Sequence, residues 1–140
     1  MQRLIPLVIP LALAGCAAFA SFPTPVTVTA QDAAPAANAI ASIVRLRLPP
    51  GRDSLRVEIP PDETGQAIGK ELTRVLQTQG YRIEDTAQAA HRIGFAIARL
   101  KEGALLTITI DGGTAATLLA RDSAGAMVLV SGLTFREALP

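Results

Sequence analysis

Four alternating segments near the carboxyl end constrain the fold of this chain more than any other feature. In the first, bulky apolar residues alternate with glycine and alanine, so one face is large and the other small. Turns rich in glycine follow at intervals of about ten residues, which is typical of an antiparallel β-meander. The predicted strands are Arg92–Leu100, Leu105–Asp111, Thr114–Arg121 and Met127–Ser131.

One strongly amphipathic helix precedes this ladder. Asp62 is the expected N-cap, and Gly80 is the expected left-handed residue that ends the helix. Its apolar stripe consists of Ile68, Leu72, Val75 and Leu76. A short helix over Asn38–Leu46 and strands over Ser54–Ile59 and Tyr81–Glu84 are also predicted.

These elements predict one α+β domain over residues 38–140. We expect two layers, an antiparallel β-meander packed against the main amphipathic helix plus the short N-terminal helix. The bulky face of the ladder should receive the apolar stripe of the main helix.

The first fifteen residues have the organisation of a bacterial secretory signal. Arg3 supplies a positive charge, and the apolar run Leu4–Leu13 is too short to cross a bilayer as a helix. The run ends in Leu13, Ala14, Gly15 and Cys16, which resembles the lipobox of bacterial lipoproteins. We therefore expect residues 1–15 to be a signal peptide and Cys16 to be a lipid attachment point carrying diacylglycerol and an amino-terminal acyl chain such as palmitate. An ordinary signal peptide that ends near a cysteine is the alternative.

Residues 16–37 are rich in Ala, Pro, Thr and Ser and are interpreted as a lipid-anchored flexible tether. Within them Val26–Thr29 alternates and could add as a strand to a partner protein; a plain linker is the alternative. The predicted strand Ser54–Ile59 could offer such an edge as well. Ala17, rather than Asp, follows the cysteine, and by resemblance to known lipoproteins this favours the periplasmic face of the outer membrane.

Charge and residue inventory argue against several function classes. The chain has 13 Lys and Arg against 12 Asp and Glu, so removal of Arg3 with the signal leaves 12 against 12 and a net charge of zero. No basic nucleic-acid footprint is visible, and no direct nucleic-acid binding is expected. Cys16 is the single cysteine, so no disulfide within the chain is expected.

We find no convincing catalytic, metal or cofactor motif. His91, the single histidine, is interpreted as a solvated residue at a strand end, with a base or metal ligand as the alternative. Ser123 lies in a turn without the glycines of a nucleophile elbow. Gly65 to Lys70 faintly resembles a phosphate loop, but the glycine spacing is one residue short and Glu71 stands where Ser or Thr is needed. The sequence therefore predicts no catalytic, metal-binding or cofactor-binding residues and no enzyme.

The order of these features resembles the TrbH family of conjugal-transfer lipoproteins. The resemblance lies in the lipobox, the helix that ends in Gln79-Gly80-Tyr81, and the apolar terminal run from Gly125 to Glu137. Phe135 stands near where family members tend to carry a tryptophan, and this chain has none. The resemblance implies a structural component of a type IV secretion (mating-pair formation) channel that moves plasmid DNA, with other channel proteins of the envelope as partners. The alternatives are an unrelated envelope lipoprotein that binds a periplasmic protein or a small ligand, and a periplasmic enzyme with His91, Asp111 and Asp122 in one pocket.

Overall fold

The structure, a computed structural model, describes residues 27–101, 103–130 and 132–137. A 3-10 turn over Ala30–Asp32 leads directly into the first helix. The helices are α1 (Ala33–Arg47) and α2 (Glu63–Thr78). The strands are β1 (Ser54–Glu58), β2 (Arg82–Ile83), β3 (His91–Leu100), β4 (Gly103–Ile110), β5 (Gly113–Arg121), β6 (Met127–Leu129) and β7 (Thr134–Arg136).

The strands form one mixed sheet in the order β2-β1-β3-β4-β5-β6, and β7 pairs with β5 beside β6. The predicted meander is confirmed, because β3, β4, β5 and β6 pair antiparallel in sequence order. Strand β1 instead runs parallel to both β2 and β3. The helix α2 connects β1 to β2, as a parallel connection requires. The α+β fold class is therefore confirmed, with two parallel pairings added at one side of the sheet.

The core lies between the helices and one face of the sheet. The alternation predicted for β3 holds, since Ile93 and Phe95 are buried while Ala96 and Ala98 are exposed. Strand β4 presents its even-numbered residues to the same core. All four residues of the predicted helical stripe are buried in it: Ile68, Leu72, Val75 and Leu76.

Helix α2 begins and ends where its sequence predicts. The side chain of Asp62 accepts a hydrogen bond from the backbone N–H of Gly65 at 2.8 Å, which satisfies one of the four free N–H groups at the helix start. Gly80 has a φ of 93°, so the left-handed position after the helix is occupied by the residue that adopts it at least cost.

Helix α1 is longer than predicted and starts five residues before the predicted domain boundary at residue 38. Thr29 and Asp32 form a capping box, in which each side chain pairs with the other's backbone. Pro35 falls in the first turn, where its missing N–H costs little. Ala36 and Ala37 are fully buried, so the carboxyl end of the predicted tether 16–37 packs as part of the domain.

The terminal run closes the sheet beside β5. Strand β7 pairs Phe135 with Ala115, and the Phe135 ring packs against the core. The guanidinium of Arg47 at the end of α1 lies 3.3 Å from the centre of that ring, a cation–π contact. Phe135 therefore joins the end of α1 to the sheet.

Candidate functional site

Strand β3 is paired on both sides for only part of its length. Its register with β1 runs from His91 to Gly94, where Glu58 is the last partner. Beyond the end of β1, the next residue that could donate to β3 in this register is Pro60, which has no backbone N–H. Among the described residues, β3 therefore has β4 on one side and no strand on the other beyond Gly94.

The backbone groups along this open edge can be assigned from the register. The carbonyl of Arg92 accepts from the N–H of Asp111, so even-numbered residues of β3 bond to β4. The odd-numbered residues Ile97 and Arg99 consequently turn their N–H and C=O groups away from β4, toward the open edge. These groups have the spacing that an added strand requires.

A groove of about 370 Å³ runs along this edge, and we call it the edge groove. It separates β3 from the first turns of α2 and from the residues that precede the 3-10 turn. Its lining mixes apolar side chains, among them the buried Ile68 and Phe95, with polar side chains such as Asp62 and Arg99. The residues that define it are Thr27, Val28, Asp62, Ile68, Phe95 and Arg99.

The amino-terminal side of the edge groove is held in place by an ion pair between the buried carboxylate of Asp32 and the partly exposed guanidinium of Arg121. Arg121 donates from Nη1 to Oδ1 of Asp32 at 2.9 Å and from Nη2 to Oδ2 at 2.8 Å. The same Nη2 donates to the carbonyl of Thr27 at 2.9 Å. Hydrogen bonds from Arg121 hold the pKa of the Asp32 carboxyl below its usual value, against the desolvation that would raise it. This end of the edge groove is therefore rigidly attached to β5.

A second cluster of polar groups surrounds His91 at the opposite end of the sheet. Its Nδ1 lies 2.5 Å from Oδ2 of Asp111, and its Nε2 lies 3.4 Å from Oδ2 of Asp53. The other oxygen of Asp111 accepts from the N–H of Arg92 at 2.8 Å. The hydrogen bond with Asp111 raises the pKa of His91, and burial opposes it to a smaller extent.

This cluster links three segments of the fold. Its three side chains come from the loop before β1, the start of β3 and the β4–β5 turn, where Asp111 has a φ of 48°. Asp122 is not part of it, since its Oδ1 accepts from the N–H groups of Ala124 and Ala126 in the β5–β6 turn. Within residues 27–101, 103–130 and 132–137, no three His, Cys, Asp or Glu side chains meet as metal ligands.

The weak phosphate-loop pattern proves to be the interior of a helix. Gly65 and Gly69 both lie in α2 and both are buried. A Cβ at Gly65 would lie 2.6 Å from Cβ of Pro60, and one at Gly69 would lie 2.5 Å from the Ile59 side chain. Because these two residues are glycines, α2 packs closely against the segment that follows β1. That segment forms one wall of the edge groove.

The predicted lipid site lies outside the described residues. Leu13, Ala14, Gly15 and Cys16 all precede Thr27, the first residue that the structure describes, and so does the predicted signal peptide. No helix in the described part of the chain is both long and apolar enough to span a membrane.

Comparisons with protein-family models, with curated proteins and with solved structures give no match for this chain. Membership of the TrbH family therefore stays a prediction from the residues quoted above.

The sequence does not predict the edge groove. The alternation in the sequence of β3 indicates which of its side chains are buried. It does not indicate where the pairing of β3 with β1 ends. The available signal was Pro60, because proline stops a strand ladder on the side where its N–H would donate. The prediction that Ser54–Ile59 offers an exposed edge is wrong, because β1 pairs with β2 on one side and with β3 on the other.

Proposed function

We propose that this chain is a lipid-anchored, non-catalytic docking subunit of the bacterial cell envelope, and that it serves as a structural component of a conjugative type IV secretion channel. Cys16 carries the lipid on the periplasmic face of the outer membrane. The folded domain holds a partner subunit at the edge groove.

One observation carries the docking role: the open edge of β3 beside the edge groove. Backbone N–H and C=O groups aimed out of a sheet bind an extended segment by main-chain hydrogen bonds, and an adjacent apolar groove selects its side chains. Exposed edges of this kind are usually blocked by charge, proline or a covering loop. The edge at Ile97 and Arg99 has the exposed Arg99 side chain but no covering strand among the described residues.

The choice of a conjugation channel depends on the lipobox and on the resemblance to TrbH proteins. It is tested by deleting the gene from a donor strain that carries the transfer system in which the gene occurs, and then counting transconjugants. We expect transfer to fall sharply and to recover when the gene is supplied in trans. Undiminished transfer would favour the alternative, an envelope lipoprotein with a different partner.

The docking edge is tested with two substitutions at one position. Arg99→Pro removes an N–H that faces the open edge and leaves the β4 ladder intact, because Arg99 is not one of the residues that bond to β4. Arg99→Ala removes the same side chain and keeps the N–H. We expect both proteins to fold, as judged by thermal melting, and only Arg99→Pro to fail in complementing the deletion. Equal complementation by the two variants would contradict docking at this edge.

A further inference from the structure

The end of the sheet at which the tether leaves the domain also carries an apolar surface on the face away from the helices. Leu100 on β3 and Val130 after β6 are 40% and 60% exposed. The N–H of Val130 donates to the carbonyl of Leu118 at 2.9 Å, which brings strands β5 and β6 together here. We call this surface the outer patch, and it consists of Leu100, Leu118, Val128 and Val130.

The position of Thr27 relates the outer patch to the lipid. Thr27 lines the edge groove together with Arg99, and its carbonyl accepts from Arg121, so it lies over the same end of the sheet as Leu100. Ten residues, 17–26, separate it from Cys16. A fully extended chain of that length reaches at most about 40 Å, while β3 itself is about 33 Å long. The tether therefore leaves the domain at the end that carries the outer patch and is long enough for that end to lie on the bilayer.

We propose that the outer patch rests on the lipid bilayer, so that the domain makes a second membrane contact besides its anchor. This inference depends on the proposed lipidation of Cys16, which supplies a local concentration on the order of millimolar. At that concentration a small apolar surface is sufficient to hold the domain in one orientation. The edge groove then faces sideways, along the membrane, toward a neighbouring subunit.

The chemistry of the outer patch favours acyl chains over charged headgroups. Lys101 follows β3, and the β5–β6 turn carries Asp122. Because both signs of charge are present, the contact should depend on apolar burial and be insensitive to anionic lipid and to salt. Interfacial apolar side chains enter the bilayer by about 5–10 Å.

The absence of tryptophan from the chain permits a direct test. The lipidated full-length protein with Leu100→Trp is reconstituted into phosphatidylcholine vesicles with or without bromine on the acyl chains, which quenches tryptophan by contact. The matched control is Leu46→Trp on α1, since Leu46 is 74% exposed on the helical layer. Val130→Trp provides a second reporter should Leu100→Trp fold poorly.

We expect brominated lipid to remove at least about half of the Leu100→Trp emission and to leave Leu46→Trp unchanged, since only the former would reach the acyl region. The quenching should persist in about 0.5 M salt. Equal quenching of the two reporters would overturn the proposal. So would blue-shifted Leu100→Trp emission that bromine leaves intact, because protein rather than lipid would then cover the outer patch. A protein that does not float with vesicles would contradict the lipid anchor instead, and the two failures are thereby distinguished.

Discussion

Arg121 at the end of β5 binds both carboxylate oxygens of Asp32, a residue 89 positions earlier in the chain. Asp32 is 7% exposed and also accepts from the backbone N–H of Thr29 at 2.8 Å. One side chain thus caps the 3-10 turn before α1, joins the helical layer to the sheet and fixes the point where the tether enters the domain.

Removing Arg121 should destabilise the domain, because the Asp32 carboxylate would stay buried without its charge partner. We expect Arg121→Ala to lower the free energy of unfolding by about 2 kcal/mol. The matched control is Arg92→Ala, whose ion pair with Glu58 is exposed on both sides and should contribute less than about 0.5 kcal/mol. Urea unfolding followed by circular dichroism measures both. Similar losses in the two variants would contradict a special role for the Asp32–Arg121 pair.

The same pair should make the domain sensitive to acid. The pKa of Asp32 in the folded state lies below its value of 3.8 in the absence of these partners, mainly because of Arg121. Its stabilising contribution is therefore complete above about pH 3.8 and is lost as the pH falls through the folded-state pKa. We expect the midpoint of urea unfolding to fall between about pH 5 and pH 2.5, and to fall less in Arg121→Ala. An equal fall in both proteins would assign the acid sensitivity to other carboxyl groups.

His91 should produce the opposite dependence at higher pH. Its pKa is raised in the folded state, chiefly by Asp111, so protonation stabilises the fold. That contribution is complete below about pH 6.5 and is lost as the pH rises through the raised pKa. We expect stability to decrease between about pH 6 and pH 8.5 by no more than about 1 kcal/mol, since the cluster is partly exposed. Asp111→Asn keeps an oxygen for the Arg92 N–H and should abolish most of this dependence; an unchanged pH profile would contradict the assignment.

The two buried glycines of α2 should respond differently to alanine. A Cβ at Gly65 would lie 2.8 Å from the backbone oxygen of Pro60, whereas the atoms nearest to one at Gly69, at 2.5 to 2.7 Å, belong to the side chain of Ile59. We expect Gly65→Ala to cost about 2 kcal/mol of stability. Gly69→Ala should cost less, about 1 kcal/mol, because the Ile59 side chain must shift but is exposed at the surface, and alanine gains about 1 kcal/mol of helix propensity. Chemical unfolding of both variants checks this difference, and a larger loss for Gly69→Ala would show that Ile59 cannot yield.

The elements predicted correctly are those defined by local pattern. The meander and α2 carry alternation, a helical stripe, an N-cap at Asp62 and a terminating Gly80, and each of these signals acts within a few residues. The sequence does not predict the start of α1, because a segment rich in alanine and proline has the composition of a linker. Its capping box at Thr29 and Asp32 is a local signal, yet Asp32 is stabilised in the fold by Arg121, which is remote in sequence.

The candidate site depends on relationships that no local pattern contains. The parallel pairing of β1 with β3 covers only part of β3. Where the open edge begins depends on which residues of the two strands pair, and this is visible only in the structure. His91, Asp111 and Asp53 likewise meet through strand pairing, although each is separately visible in the sequence. Cys16 is the reverse case: its predicted role comes from the sequence of residues 13–16 alone, outside the described residues.

Mass spectrometry of the amino-terminal peptide, prepared from membranes of the native bacterium, tests the lipid anchor most directly. We predict a mature chain that begins at Cys16 with a diacylglyceryl group on its sulfur and an acyl chain on its amino group. Cys16→Ser should abolish both modifications, and the signal peptide should remain uncleaved. A mature chain cut at another position, with Cys16 carrying a free thiol, would contradict the lipid-anchored docking subunit proposed above.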